Sequence, residues 1–520
     1  MELTWSSPLL PLLALSIPLT LALAGLVAPR HAAAATGAAL AAALLFTLGV
    51  WSAGPGAALG VRGDVTTCVM VLLVSGLGAV VVRYSRAALD RDPGLERYLR
   101  WLLLTLAAVT VLVPSDNLLV IALAWATASV TLHQLLTWFS ERPAALVAAH
   151  KKFLVSRLAD LALAGALWLV HAHVGSFDLG QLAAWVSAQP ALPPAMEAAA
   201  LLLVLAVALR SAQLPFHGWI TQVMEAPTPV SALLHAGVVN IGGFVLIRLA
   251  PWLTHAGPAR LALVVIGLVT TVVAALVMTT RVSVKVALAW STCAQMGFML
   301  VQCGLGLWPL ALLHLVAHSL YKAHAFLSAG SAVEAWSTQA LAGPAPGLTP
   351  RRLALATVVG LVVAPLAVIG VRPVLGLPPL SVDAAAGLSL LLGLALVPLF
   401  TAARPGDLGA VVQRALVVVL LALGWHALSE HLLPAPVEST SALGWWLTCA
   451  GLIALFAVKS ALQLRPSGVF ARALHPWLFS GLYLDEFFTA LTFRVWPPRP
   501  ARATRSEQTP RAPAALEVHS

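Results

Sequence analysis

The stretch HLVAHSLYKAH, residues 314–324, sets His314, His318 and Lys322 at spacings of four and four. On a helix of 3.6 residues per turn these positions share one stripe, so two imidazoles and an amine form a column along a single face. Imidazole takes up and releases protons near neutral pH. An ionisable group at bilayer depth costs at least about 2.5 kcal/mol, which makes it a functional candidate by default. The chemistry this points to is a proton or cation relay. A hydrogen-bonded network that only ties helices together is the alternative reading of the same residues. A metal site from HxxxH is disfavoured, because no acid or cysteine stands nearby.

Lysine is scarce in this chain: Lys151, Lys152, Lys285, Lys322 and Lys459 are all there is, and arginine carries the loops. A desolvated lysine can lose its proton and arginine effectively cannot, so Lys285 and Lys322 are the leading proton-handling candidates. Lys285, near its helix end, reads equally well as a snorkelling anchor. His235 follows the PTP segment of PTPVSALLHAG and is placed to face the same interior. Arg210 and His217 point inward if the helix is only kinked at Leu214 and Pro215. Arg157 and Asp160 lie three apart, a spacing that allows an ion pair on one helix face. Glu225, before Ala226 and Pro227, marks a loop or a helix mouth.

These residues are embedded in 520 that are 60% hydrophobic and 10% charged, with a mean hydropathy of +0.92. Apolar runs of roughly 20 residues, enough to cross a bilayer, recur from 8–29 to 443–463 about fifteen times. The fold class is therefore all-α, a polytopic membrane bundle of about 14–15 transmembrane helices occupying 1–465. The first run lacks the basic start of a cleaved signal peptide and is read as a retained helix. LPFHGWITQVMEAPTPVSALLHAG packs three prolines and a charge between apolar arms, which predicts discontinuous helices at membrane depth. After Arg465 an aromatic-rich segment, 466–496, predicts an amphipathic C-terminal helix. A Pro- and Arg-rich tail, 497–520, predicts disorder.

The net charge of +10 is spread over helix ends and the tail, so it reads as a topology signal and not as nucleic-acid binding. Arginine and lysine, Lys151 and Lys152 among them, concentrate in loops after odd-numbered spans. Arg62, Arg248, Arg260 and Arg372 are all that the other loops hold. The positive-inside rule then puts the N-terminus outside and the C-terminus in the cytoplasm of the cell inner membrane. The four cysteines lie scattered in apolar segments without metal-type spacing. The chain shows no nucleotide-binding glycine loop and no catalytic, cofactor-binding or metal-ligating set, so chemistry is expected in a partner.

SAQLPFHGWITQVMEAPTPVSALLHAGVVNIGGFVLIR, SVKVALAWSTCAQMGFM and HLVAHSLYKAHAFLSAGS, with PSDNLLVIALAW and HKKFLVSRLADLAL upstream, resemble the antiporter-like proton-translocating subunits of respiratory complex I and Mrp-type antiporters. The resemblance covers about 60–335. HGWITQVMEAPTPVSALLHAGVVNIGGF and SGLYLDEFFTALTFRVWP resemble more narrowly the membrane subunit of DAB inorganic-carbon accumulation systems. This implies a large cytoplasmic partner, DabA-like and similar to a zinc β-carbonic anhydrase, with zinc in that partner and no cofactor in this chain. It also implies that proton or sodium flow through the chain drives CO2 hydration or bicarbonate accumulation. It carries pathway roles onto His235, Lys285, His314, His318 and Lys322.

Two departures from the family pattern stand out. LAWATA presents Ala126 where the pattern has glutamate, and Arg210 stands where it has lysine. The family's second-repeat lysine is missing, with Arg372 a weak substitute, and the length leaves no room for a long lateral helix. Two other functions remain open on the sequence: a pump module of a complex I-type or Mrp-type assembly, and a non-conducting membrane anchor for a cytoplasmic enzyme.

Overall fold

A computed structural model of the chain describes residues 5, 8–331, 337, 348–374, 381–402, 408–432 and 441–497. The tail expected to be disordered and the side chain of Arg372 fall outside them. The helices run α1 Leu9–Val27, α2 Ala32–Ala53, α3 Val65–Ala88, α4 Leu95–Leu112, α5 Leu118–Leu136, α6 Pro143–Val174, α7 Leu179–Ser187, α8 Pro194–Arg210, α9 Gly218–Gln222, α10 Thr228–Ala236, α11 Ile241–Arg248, α12 Ala250–Leu253, α13 Gly257–Val277, α14 Val284–Gly304 and α15 Trp308–Leu327. They continue with α16 Pro350–Val374, α17 Val382–Ala402, α18 Leu408–Leu432, α19 Ala442–Leu464, α20 Val469–Phe479 and α21 Leu484–Val495. A two-stranded antiparallel hairpin, β1 Gly56–Ala58 and β2 Val61–Gly63, joins α2 to α3.

Each apolar run read from the sequence corresponds to a helix or a broken helix. Among the described residues, 11 helical stretches are long and apolar enough to cross a membrane. The remaining runs become α4, α8, α15 and α18; of these, α4 opens on Glu96 and Arg97, α8 has 17 residues, and α15 carries the histidines and Lys322. The breaks are real. Residues 211–217 are not helical, α9 and a 3-10 turn follow, and a second 3-10 turn at Val238–Asn240 divides α10 from α11. The span Thr228–Arg248 is the central one, with 89% of its apolar window buried against 28% for Pro350–Gly370 and 6% for α19. Irregular backbone at that depth is tolerated because protein surrounds it on every side.

Around this centre α10 packs on α15 and α3, α13 on α14 and α19, and α6 on α8. The α13–α14 pair is very close: a Cβ on Gly267 would collide with the Gly297 carbonyl oxygen, and one on Gly297 with that of Gly267. Small residues facing each other are how membrane helices bring their backbones together. Outward rows such as Leu12, Leu19 and Leu23 on α1, or Leu161 and Trp168 on α6, stay exposed and form the face offered to lipid.

Two expectations need correction. Lys151 and Lys152 are not loop charges, because Pro143 starts α6 a full two turns earlier and both lysines are buried inside it. Arg248 and Arg260 are also buried: Arg248 bonds Asp64 at 2.7 Å and Arg260 donates to the Gly304 carbonyl at 3.1 Å. The C-terminal segment is also divided, with Leu482 and Tyr483 at positive φ separating α20 from α21.

Candidate functional site

The column on α15 exists as the spacing predicts, with His318 and Lys322 buried and His314 partly so, while His324 is exposed. Lys322 Nζ donates to the Leu288 carbonyl at 2.8 Å. His235, at the end of α10, lies with Nδ1 3.0 Å from Thr292 Oγ1 and stacks on Phe326 at 4.3 Å. His314 Nδ1 lies 2.8 Å from Gln302 Oε1, and the His314 and His318 rings are 6.0 Å apart. The partners Leu288, Thr292 and Gln302 all belong to α14. From 288 to 302 that helix rises about 21 Å at 1.5 Å per residue, so the thread crosses most of the bilayer core.

The hydrogen bonds assign the tautomers. Thr292 Oγ1 donates its one proton to the Leu288 carbonyl at 3.0 Å, so it accepts from His235 Nδ1, and a neutral His235 then carries its lone pair on Nε2. His314, donating to Gln302 Oε1, likewise keeps Nε2 as an acceptor. The Nε2 atoms of His235, His314 and His318 are all buried without a protein partner among the described residues. Buried polar atoms are almost always satisfied, and these three imidazole nitrogens are exceptions among the described residues. Lys285, at the first turn of α14, is half-buried and donates to Thr228 Oγ1 at 3.1 Å, which sets it at the helix end and outside the column.

A second cluster lies between α5, α6 and α8. Asp160 bonds Arg157 at 2.8 Å and also pairs with Arg210, whose guanidinium sits 4.4 Å over the Trp125 ring. The counter-charge to Arg210 thus comes from α6, and Ala126 beside Trp125 contributes none. Lys152 Nζ donates to Ser129 O and Oγ at 2.7 and 2.8 Å, with no carboxylate partner among the described residues.

His217 is buried but does not join Arg210; its ring lies 4.7 Å from Trp290 and its Nδ1 3.2 Å from the Pro215 carbonyl. Beside it Lys151 Nζ bonds Asp485 at 2.7 Å and Gln222 at 3.0 Å. Asp485 enters from α21, and a Cβ on Gly218 would run into its carboxylate, so this approach requires glycine. Glu225 resolves as rim: it sits in a 3-10 turn and pairs with Arg142 at 3.2 Å, both largely exposed.

Sequence reasoning missed Lys151, Lys152 and Asp485 as interior groups. Proline at the first position of a helix is a start signal, and Pro143, eight residues before Lys151, carried that signal. Asp485 was not placed in the interior because Lys151 and Gln222, the partners that hold it there, lie more than 260 positions away. Among the described residues no group of three or more metal-binding side chains occurs.

Residues 115–381 match the family described as NADH:quinone oxidoreductase/Mrp antiporter, TM. The chain is 40% identical over 442 residues to the probable inorganic carbon transporter subunit DabB of Hydrogenovibrio crunogenus, covering 83% of this chain and 82% of that one. It is 34% identical over 279 residues to NADH-quinone oxidoreductase subunit L of Mycobacterium tuberculosis, covering 53% and 44%. A chain of the Mrp complex from Dietzia sp. superposes with a TM-score of 0.60 at 23% identity, over 92% of this chain and 60% of that one, a likeness of fold. With that coverage and identity, the chain belongs to the NADH:quinone oxidoreductase/Mrp antiporter transmembrane family and, within it, to the DabB inorganic carbon transporter subunits.

Proposed function

We propose that the chain is the ion-conducting membrane subunit of an inorganic-carbon accumulation complex, and that it carries protons or sodium inward to drive a cytoplasmic partner resembling a zinc β-carbonic anhydrase. Membership in the family of carbon transporter subunits supports the transport role. The observation that carries the conduction is the thread on α10, α14 and α15: buried His235 and His318 and half-buried His314, whose Nε2 atoms are all buried without a partner among the described residues, ending at Lys322. In this reading His314, His318 and His235 pass charge through water along the column, Lys322 receives it, and Lys285 and Thr228 form the mouth. Arg210, held by Asp160 and Arg157, sets the field in the other half and carries no proton itself.

The N-terminus lies outside and the C-terminus in the cytoplasm of the cell inner membrane, so the mouth at Lys285 and the helices α20 and α21 face the partner. Zinc belongs to that partner.

The test is growth in ordinary air of a bacterium lacking carbonic anhydrase, expressing the chain with its zinc-binding partner. Lys322→Ala or His318→Ala should abolish rescue while the two subunits still co-purify. Undiminished rescue by either variant overturns the conduction reading, and rescue by the chain without the partner overturns the assembly.

A further inference from the structure

Two cavities meet at Lys459 and Gln463 of α19. The outer one, of about 580 Å³, lies under α20 and is bordered by Thr279, Thr280, Arg472 and His475. The inner one, of about 350 Å³, continues between α13, α14, α17 and α19 and is walled by Phe298, Leu391, Leu394, Leu455 and Phe456. Among the described residues no aspartate or glutamate lines either cavity, and neither Lys459 nor Arg472 has an ion-pair partner. Four buried cations elsewhere, Lys151, Lys152, Arg248 and Lys322, are by contrast paired or bonded.

We infer that this pair of cavities is a binding site for an anionic phospholipid, its phosphodiester held by Lys459, Arg472 and His475 and one acyl chain lodged in the inner slot. The charge is complementary: two unpartnered cations and an imidazole with no acid among them suit a phosphate, as basic pockets between transmembrane helices do. The depth is right, since Lys459 lies five residues before the end of α19, about 8 Å at 1.5 Å per residue, and a lysine stem reaches the headgroup level from there. The shape selects lipid over free phosphate. A phosphate alone would leave the Phe298, Leu391, Leu394, Leu455 and Phe456 wall of the inner slot without a partner, whereas a phospholipid sets its acyl chain on that wall and its headgroup beside Lys459 and Gln463, which border both cavities. The exposed Phe470, Trp477 and Phe479 of α20 form an aromatic border at the same level.

The experiment uses the full chain, purified in mild detergent, delipidated and returned to nanodiscs of phosphatidylcholine with or without one fifth phosphatidylglycerol, with bound lipid counted by native mass spectrometry. Wild-type protein should retain phosphatidylglycerol in preference to phosphatidylcholine. Lys459→Ala with Arg472→Ala should lower that preference about thirtyfold, the equivalent of two surface cations at about 1 kcal/mol each. Leu455→Trp, which fills the slot and leaves every charge in place, should also release the lipid, while Arg30→Ala, an exposed cation at another helix end, should not. Equal retention of the two lipids overturns the site. So does retention by both the double variant and Leu455→Trp, or displacement of the lipid by millimolar inorganic phosphate.

Discussion

Asp485 and Lys151 provide the sharpest quantitative test of how the C-terminal helices close the face that carries the mouth. Lys151 has a side chain 0% exposed, and Asp485 is 22% exposed, so the pair is sealed on the lysine side and partly screened on the other. Replacing one member of a wholly buried pair costs about 3–5 kcal/mol, and a hydrogen bond to a charged group is worth about 1.5–3 kcal/mol. Partial exposure and the asparagine oxygen, which still accepts from Lys151, put Asp485→Asn near the lower figure, about 2 kcal/mol, or a thirtyfold loss in the docking equilibrium of α21.

Docking of α20 should survive, because Arg281 donates to the Leu478 carbonyl at 3.1 Å independently of Asp485. Hydrogen exchange on the detergent-solubilised chain reads the two helices separately. Amides of 484–495 should lose protection about thirtyfold, and those of 469–479 should not change. Gly218→Ala should reproduce the effect by steric displacement of the same carboxylate. Unaltered protection in α21, or an equal loss in both helices, refutes the assignment of Asp485 as the latch.

Two further outcomes follow from the other charge clusters. Asp160→Asn leaves Arg157 and Arg210 facing each other without a counter-charge; because Asp160 is 24% and Arg157 35% exposed, the loss should fall below that of a wholly buried pair, at about 2 kcal/mol, and adding Arg210→Gln should return most of it, which a double-mutant cycle of thermal melts in detergent measures. At the N-cap of α3, burial raises the Asp64 carboxyl, but Arg248 and the Thr67 bonds outweigh it and hold it below the usual value. A depressed carboxylate stabilises above its unfolded value of about 4 and loses that contribution as pH falls through the folded one, so the difference in melting temperature between wild type and Asp64→Asn should be full at pH 7 and vanish in strong acid.

The stripe of His314, His318 and Lys322 was legible because helical periodicity fixes which side chains align, and proline spacing announced the breaks before His217 and before His235. What periodicity does not carry is the identity of a partner on another helix. Thr292 and Gln302 are ordinary polar residues in an apolar run, and only the packing of α14 against α10 and α15 makes them the rungs that set the tautomers of His235 and His314. Lys151 and Lys152 were misread for a related reason: two adjacent lysines before an apolar run look like a loop, and burial came from α8, α9 and α21 closing over them. Asp485 lies in a segment whose composition suggests an interfacial helix, and its insertion beside Gly218 depends on a missing Cβ 267 positions earlier.

The residues of the thread are divided between a helix fixed by close packing and a short one between irregular turns. α14 is locked to α13 by glycines whose backbones touch, so the carbonyl of Leu288 and the side chains of Thr292 and Gln302 keep fixed heights. α10 is bounded at both ends by 3-10 turns, and the His235 it carries bonds α14 through the Thr292 hydroxyl alone. Thr292 and Lys322 share the Leu288 carbonyl as acceptor. A change in the charge on Lys322 therefore acts on the same oxygen that orients Thr292, and through it on the proton position of His235. Coupling between sites needs an element with two arrangements that both sites bias; α10 is nine residues long, lies between irregular turns and carries the one imidazole that bonds Thr292, so it is the segment on which a search for a second arrangement should centre.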